Sequence, residues 1–133
     1  MSGSRRLRAA VLLLVTVVLG LASRRYPSLQ PAFVATYAGD ALWAAAVYWL
    51  LALLMPRAST TRLVAASLAI AVAVEISQLQ RDPWLDALRA TRPGALVLGQ
   101  GFLWTDLACY VAGVCLAAIV DTRLVPRTRP ARP

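Results

Sequence analysis

Histidine is absent from the 133 residues. Its absence removes the commonest metal ligand and the usual general base near neutral pH, and with them a histidine-dependent triad or zinc site. Cysteine is scarce: Cys109 and Cys115 stand six residues apart in one apolar stretch, a separation that does not put two side chains on one helical face. Both read as small packing residues, and no metal is expected. The stretch around Gly99 and Gly101 lacks the strand and the Lys-Ser/Thr pair of a phosphate-binding loop, so no cofactor is expected either. Charge is also scarce, at 15% of residues, while apolar residues reach 59% against about 45–50% in a soluble domain. So apolar a chain has too little polar surface to cover a water-soluble core.

What is present is four apolar stretches, residues 8–23, 38–55, 63–79 and 101–120, each near the roughly 17–25 residues that cross a bilayer. None has the charged face of a water-exposed helix. The expected fold is an all-α bundle of four transmembrane helices, with residues 1–120 as one membrane domain and 121–133 as a basic, proline-rich, disordered cytoplasmic tail. Arginine sets the orientation. With the N-terminus inside, Arg5, Arg6, Arg8, Arg57, Arg62, Arg123, Arg127, Arg129 and Arg132 lie inside, whereas Arg24, Arg25, Arg81, Arg89 and Arg92 lie outside. Positive-inside counting therefore places both termini in the cytoplasm, in a multi-pass protein of the bacterial inner membrane. The net charge of +8 suits anionic lipid headgroups. With no reading motif present, nucleic acid is not an expected partner. Arg5 to Arg8 and the following apolar run also imitate a secretory signal peptide, but retention as the first span is the preferred reading.

The connection at 56–62 is short enough to force an antiparallel hairpin, and Pro27 and Pro31 limit helix in the connection at 24–37. The longest connection, 80–100, is broken at Asp82-Pro83 and at Arg92-Pro93-Gly94. Between those breaks, residues 84–89 predict a short interfacial helix with Trp84 at headgroup level.

Three carboxylates fall near the outer end of the spans: Asp40, Glu75 and Asp106. An ionised carboxyl in the bilayer usually faces the bundle interior and finds a partner. Glu75 lies about one turn inside the outer boundary, with Gln78 three residues on along the same face. Asp40 and Asp106 also suit simple capping at the start of a helix, and Glu75 also suits a structural pair with a loop arginine. Asp40 and Trp43 share one side of the second span, and Asp106 and Tyr110 share one side of the fourth. Trp43, Tyr48 and Tyr110 supply aromatic surfaces with polar handles, and the nearby cations Arg24, Arg25, Arg81, Arg89 and Arg92 suit bidentate pairing with carboxylate or phosphate, with Arg89 and Arg25 expected to take anionic groups.

The motifs Arg25-Tyr26-Pro27, Tyr37-Ala38-Gly39-Asp40-Ala41-Leu42-Trp43-Ala44, Glu75-Ile76-Ser77-Gln78 and Gly101-Phe102, with Asp106-Leu107, Tyr110 and Gly113 following, resemble the DUF2809 family of small bacterial integral membrane proteins. A more distant similarity, carried by Glu75, Gln78, Arg89, Asp106 and Gly113, is to VanZ-like membrane proteins, without the early histidine often seen there. Neither resemblance implies an established reaction.

These residues predict recognition or handling of a polar lipid or cell-envelope headgroup at the outer leaflet, by Arg25, Asp40, Trp43, Glu75, Gln78, Arg89, Asp106 and Tyr110. One alternative is a membrane enzyme acting on an envelope precursor, with Glu75 as general base, Arg89 stabilising developing negative charge and Asp106 orienting the substrate. Others are a small transporter and an assembly protein that packs against a membrane partner or a second copy of itself.

Overall fold

The computed structural model describes residues 2–79, 83–98 and 104–124. Helices α1 (Ser2–Arg25), α2 (Ala32–Leu54), α3 (Thr60–Leu79) and α6 (Trp104–Leu124) are long; α4 (Pro83–Arg89) and α5 (Arg92–Leu98) are short. Among the described residues, four segments have the length and hydropathy of membrane spans: Gly3–Arg25, Tyr37–Leu54, Thr60–Ser77 and Thr105–Leu124. The protein is an all-α, multi-span membrane protein.

Local chemistry fixes the helix ends. A 3-10 turn at Pro27–Leu29 and then Pro31, whose φ of −55° is already helical, start α2 at Ala32. That is six residues before the apolar stretch begins, because proline at a helix start costs no hydrogen bond that the helix would otherwise make. Pro56 stops α2, and Ser59 starts α3 by accepting a hydrogen bond from the Arg62 amide at 3.2 Å, as an N-cap does. The Arg92-Pro93-Gly94 segment, expected as a break, instead opens α5. Thr91 Oγ1 accepts from the Gly94 amide at 3.1 Å, and the bend falls at Ala90 and Thr91. Short helix α4 forms where the 84–89 segment predicts one. α6 runs on through Leu124, past the expected start of the tail at 121.

α2 is the central helix. It packs along α1 on one side and α6 on another, and α3 closes the bundle against α6 and α2. The buried faces are narrow and built largely of small residues. Leu63, Ser67, Ala71 and Glu75, spaced four apart, make the fully buried stripe of α3; Ala44, Tyr48 and Ala52 do the same on α2. Small side chains let helix backbones approach within a membrane, where lipid tails compete for apolar surface. The closest approach is at Gly113 of α6, where a Cβ would overlap the backbone carbonyl of Ala41 on α2. The opposite faces, including Leu14, Leu19, Leu116 and Ile119, are exposed and suit lipid. Interior hydroxyls turn back on their own helices: Thr16 donates to the Leu12 carbonyl at 2.6 Å and Ser67 to that of Leu63 at 2.7 Å. A spanning helix must satisfy its polar groups internally in this way.

Candidate functional site

The antiparallel helices create two polar ends. At the end toward which α1 and α3 run and where α2 and α6 begin, the buried stripe of α3 reaches Glu75, which is 1% exposed. The Tyr110 hydroxyl of α6 donates to Glu75 Oε1 at 2.7 Å. The Tyr110 ring in turn packs on Trp43 of α2, with centroids 5.3 Å apart at 45°. One acid is thus held by the two neighbouring helices, through a phenol and the indole behind it.

Asp40 lies on the same side of α2, one turn before Trp43. Asp106 of α6 comes within side-chain hydrogen-bonding contact of it, and Glu75 is close enough to act on it electrostatically. Contact between two carboxyl groups is a hydrogen bond only with a proton between them, since an ionised carboxylate has no donor. Asp40 directly precedes Ala41, which meets Gly113, and Asp106 lies two turns before Gly113 on α6. Asp106 does occupy the first turn of its helix. Asp40 is two turns inside α2, so helix capping, one of the two expected readings for it, is excluded: the helix starts at Ala32 and its free amides lie well before residue 40.

The cations depart further from expectation. Arg24, rather than Arg25, reaches Asp40, with Nη2 3.7 Å from Oδ1 and the arginine side chain 40% exposed. Arg25, one residue and about 100° further round α1, is exposed. Gly39 leaves room for the Arg24 side chain; a Cβ there would lie 2.9 Å from its Nε. Arg89 is drawn elsewhere. Its Nη2 donates to the Ser77 carbonyl at 2.6 Å and its Nη1 meets Asp86 Oδ1 at 3.2 Å. It thereby ties α4 to the main chain of α3. Arg89, one of the residues expected to bind a headgroup, is held instead by the Ser77 main-chain carbonyl and Asp86. The side chain of Gln78 lies outside the described residues.

The other end carries a cluster that was not expected. Asp121 of α6, 5% exposed, accepts from the Tyr48 hydroxyl of α2 at 2.6 Å and pairs with Arg5 of α1 at 3.4 Å. Arg5 also donates to the carbonyls of Pro56, at 2.6 Å, and Ala58, at 3.2 Å. Arg8 donates to the Leu124 carbonyl at 2.9 Å. Tyr48 therefore belongs here and not with the other two aromatic handles, being eight residues or about 12 Å along α2 from Asp40. The signal in the sequence was an acid at the far end of the fourth span, on the side where the flanking arginines accumulate.

Two apolar recesses adjoin the acid cluster. One, of about 190 Å³, lies between α1 and α2 beside Arg24, Gly39 and Trp43. The other, a more open groove of about 480 Å³ between α2 and α6, is lined by Tyr37, Ala41, Cys109 and Ala112. Among the described residues, no group of three Cys, Asp or Glu side chains is placed to hold a metal ion. The acids offer hydrogen-bond acceptance beside two apolar recesses.

No solved structure matches the chain. Residues 29–114 match the model of DUF2809, described as a protein of unknown function. The match takes in α2, α3 and the first half of α6, and with them Asp40, Glu75, Asp106, Tyr110 and Gly113. It covers more than half of the 133 residues, and the chain belongs to the DUF2809 family.

Proposed function

We propose that the end holding Asp40, Glu75 and Asp106 faces the outer leaflet of a bacterial inner membrane and recognises the polar headgroup of a lipid or cell-envelope precursor. One observation carries the reading: acids from three different helices gather at one end of the bundle, directly beside apolar recesses that open sideways. Hydroxyl or amine groups of a headgroup suit the carboxylates, and an alkyl chain suits the α2–α6 groove. The balance of arginines, nine toward the termini and five toward the loops, supports the orientation. The more distant likeness to VanZ-like proteins belongs to this proposal alone and adds no reaction to it.

The direct test is lipid analysis of the protein purified in mild detergent, set against an unrelated four-span protein and against E75Q. Enrichment of one headgroup class in the wild type and its loss in E75Q is the expected result. Equal lipid profiles in all three would overturn the reading. Reporter fusions after Ala58 and Leu88 test the orientation; cytoplasmic signal from the first and extracytoplasmic signal from the second are expected.

A further inference from the structure

The recess between α1 and α2 differs from the α2–α6 groove in having a cation at its rim. Its wall on α1 runs from Thr16 through Leu21 to Arg24, and its wall on α2 runs from Ala46 through Trp43 to Gly39. Nine residues of α1 and eight of α2 make a trough about 10–12 Å long, parallel to the helices. The trough is apolar along its length: the Thr16 hydroxyl is committed to the Leu12 carbonyl. Val17 and Leu21 are 40% and 50% exposed, so the side facing lipid is open. At about 190 Å³ it falls below the roughly 300–1,000 Å³ of sites that enclose a whole small molecule. It suits a segment of one alkyl chain.

Arg24 sits where the headgroup of such a chain would lie. Its side chain is 40% exposed, and its Nη2 is 3.7 Å from the partner carboxylate, beyond hydrogen-bonding distance. A half-exposed pair of this length is weak, and among the described residues Arg24 makes no closer polar contact than this one. Gly39 lets the side chain lie across α2, because a Cβ would meet Nε at 2.9 Å, and so holds the guanidinium over the rim. Arg25 adds a second exposed positive charge in the same helical turn.

We propose that this trough binds a phosphate-bearing membrane lipid, with one alkyl chain between α1 and α2 and the phosphate on Arg24. The inference rests on the headgroup reading above and gives it a chemical class: a phospholipid or lipid phosphate rather than an uncharged glycolipid. Arg24 and the phosphate make charge-assisted hydrogen bonds, and the arginine exchanges a loose carboxylate contact for a bidentate one.

The test uses the full chain in mild detergent and three probes: a lysophosphatidic acid, the monoacylglycerol of the same chain, and inorganic phosphate. Affinity is read by titration, and folding of each variant by its unfolding midpoint. Wild-type protein should bind the lysophosphatidic acid at least about tenfold more tightly than either other probe, the ratio that one charge-assisted contact supplies. R24Q should remove that preference and leave monoacylglycerol binding unchanged, R24K should retain part of it, and A46F should weaken both lipids by filling the trough. If R24Q is unstable because Asp40 loses its partner, R24Q/D40N removes both charges and is titrated in its place. Undiminished preference in the arginine variants overturns the proposal, as does inorganic phosphate binding as tightly as the lipid. Failure of the carboxylate reading is seen separately, in E75Q, which lies outside the trough: an unchanged lipid profile there overturns that reading and leaves the phosphate result standing.

Discussion

The two polar ends of the bundle use similar residues to opposite effect. At the end near the termini, one acid, one arginine and one phenol form a closed set: Asp121 has both Tyr48 and Arg5, and Arg5 spends further donors on the carbonyls of Pro56 and Ala58. Charge balances there, and three helices and a loop are fastened together. At the loop end, Asp40, Glu75 and Asp106 lie near one another, and among the described residues the ion pair they make is the loose one from Arg24 to Asp40. A balanced buried set is what a fold uses to specify its own packing. An unbalanced one is held in place by the rest of the structure and suits a function that stability alone does not explain.

Substitutions at the closed end should therefore lower stability, and those at the acidic end should lower function first. The largest effect is expected for D121A, which strands Arg5 and Tyr48 in a buried setting and should cost about 3–5 kcal/mol, read from detergent unfolding. Next is G113V, whose side chain meets the α2 backbone. It should cost about 1–3 kcal/mol as overpacking and also separate Asp40 from Asp106, so that stability and lipid enrichment fall together. Y110F removes the phenol from Glu75 and should cost about 1 kcal/mol, with the Trp43 stacking kept. E75Q retains an acceptor for Tyr110 and relieves repulsion with Asp40; its unfolding midpoint should hold or rise while lipid enrichment disappears. A fall in stability as large as that of D121A would erase the distinction between the ends. The smallest effect belongs to D86A, below about 0.5 kcal/mol, because Asp86 is half exposed and a surface pair contributes little.

The spans were legible because apolar runs of bilayer length have few other uses. Glu75 was legible because an acid deep in such a run needs a partner. The partner's identity was not. Adjacent residues of a helix point about 100° apart, so only the packing of α1 on α2 decides that Arg24 rather than Arg25 meets Asp40. Arg89 escaped for a related reason: side-chain pairing between charged groups can be guessed from sequence, but a bond to the main-chain carbonyl of Ser77 becomes visible only once α4 is laid against α3. The early start of α2 followed from Pro31, which the sequence presents as a breaker and which here begins a helix. Asp121 lies just outside the apolar stretch as drawn, and its role depends on Arg5, 116 residues away along the chain.

The contact between Gly113 and Ala41 makes the spacing of Asp40 and Asp106 a property of the main chain. Side-chain contacts between helices can slip by changing rotamers, whereas a carbonyl seated against a glycine has no torsion to yield. α2 and α6 are thus joined at a close backbone contact, with Asp40 one residue from it on α2 and Asp106 two turns from it on α6. A tilt of α6 about that point would open or close the gap between the two acids by a small amount and swing Asp121, eight residues beyond the contact, in the opposite sense. Loosening at one polar end would then register at the other through geometry alone.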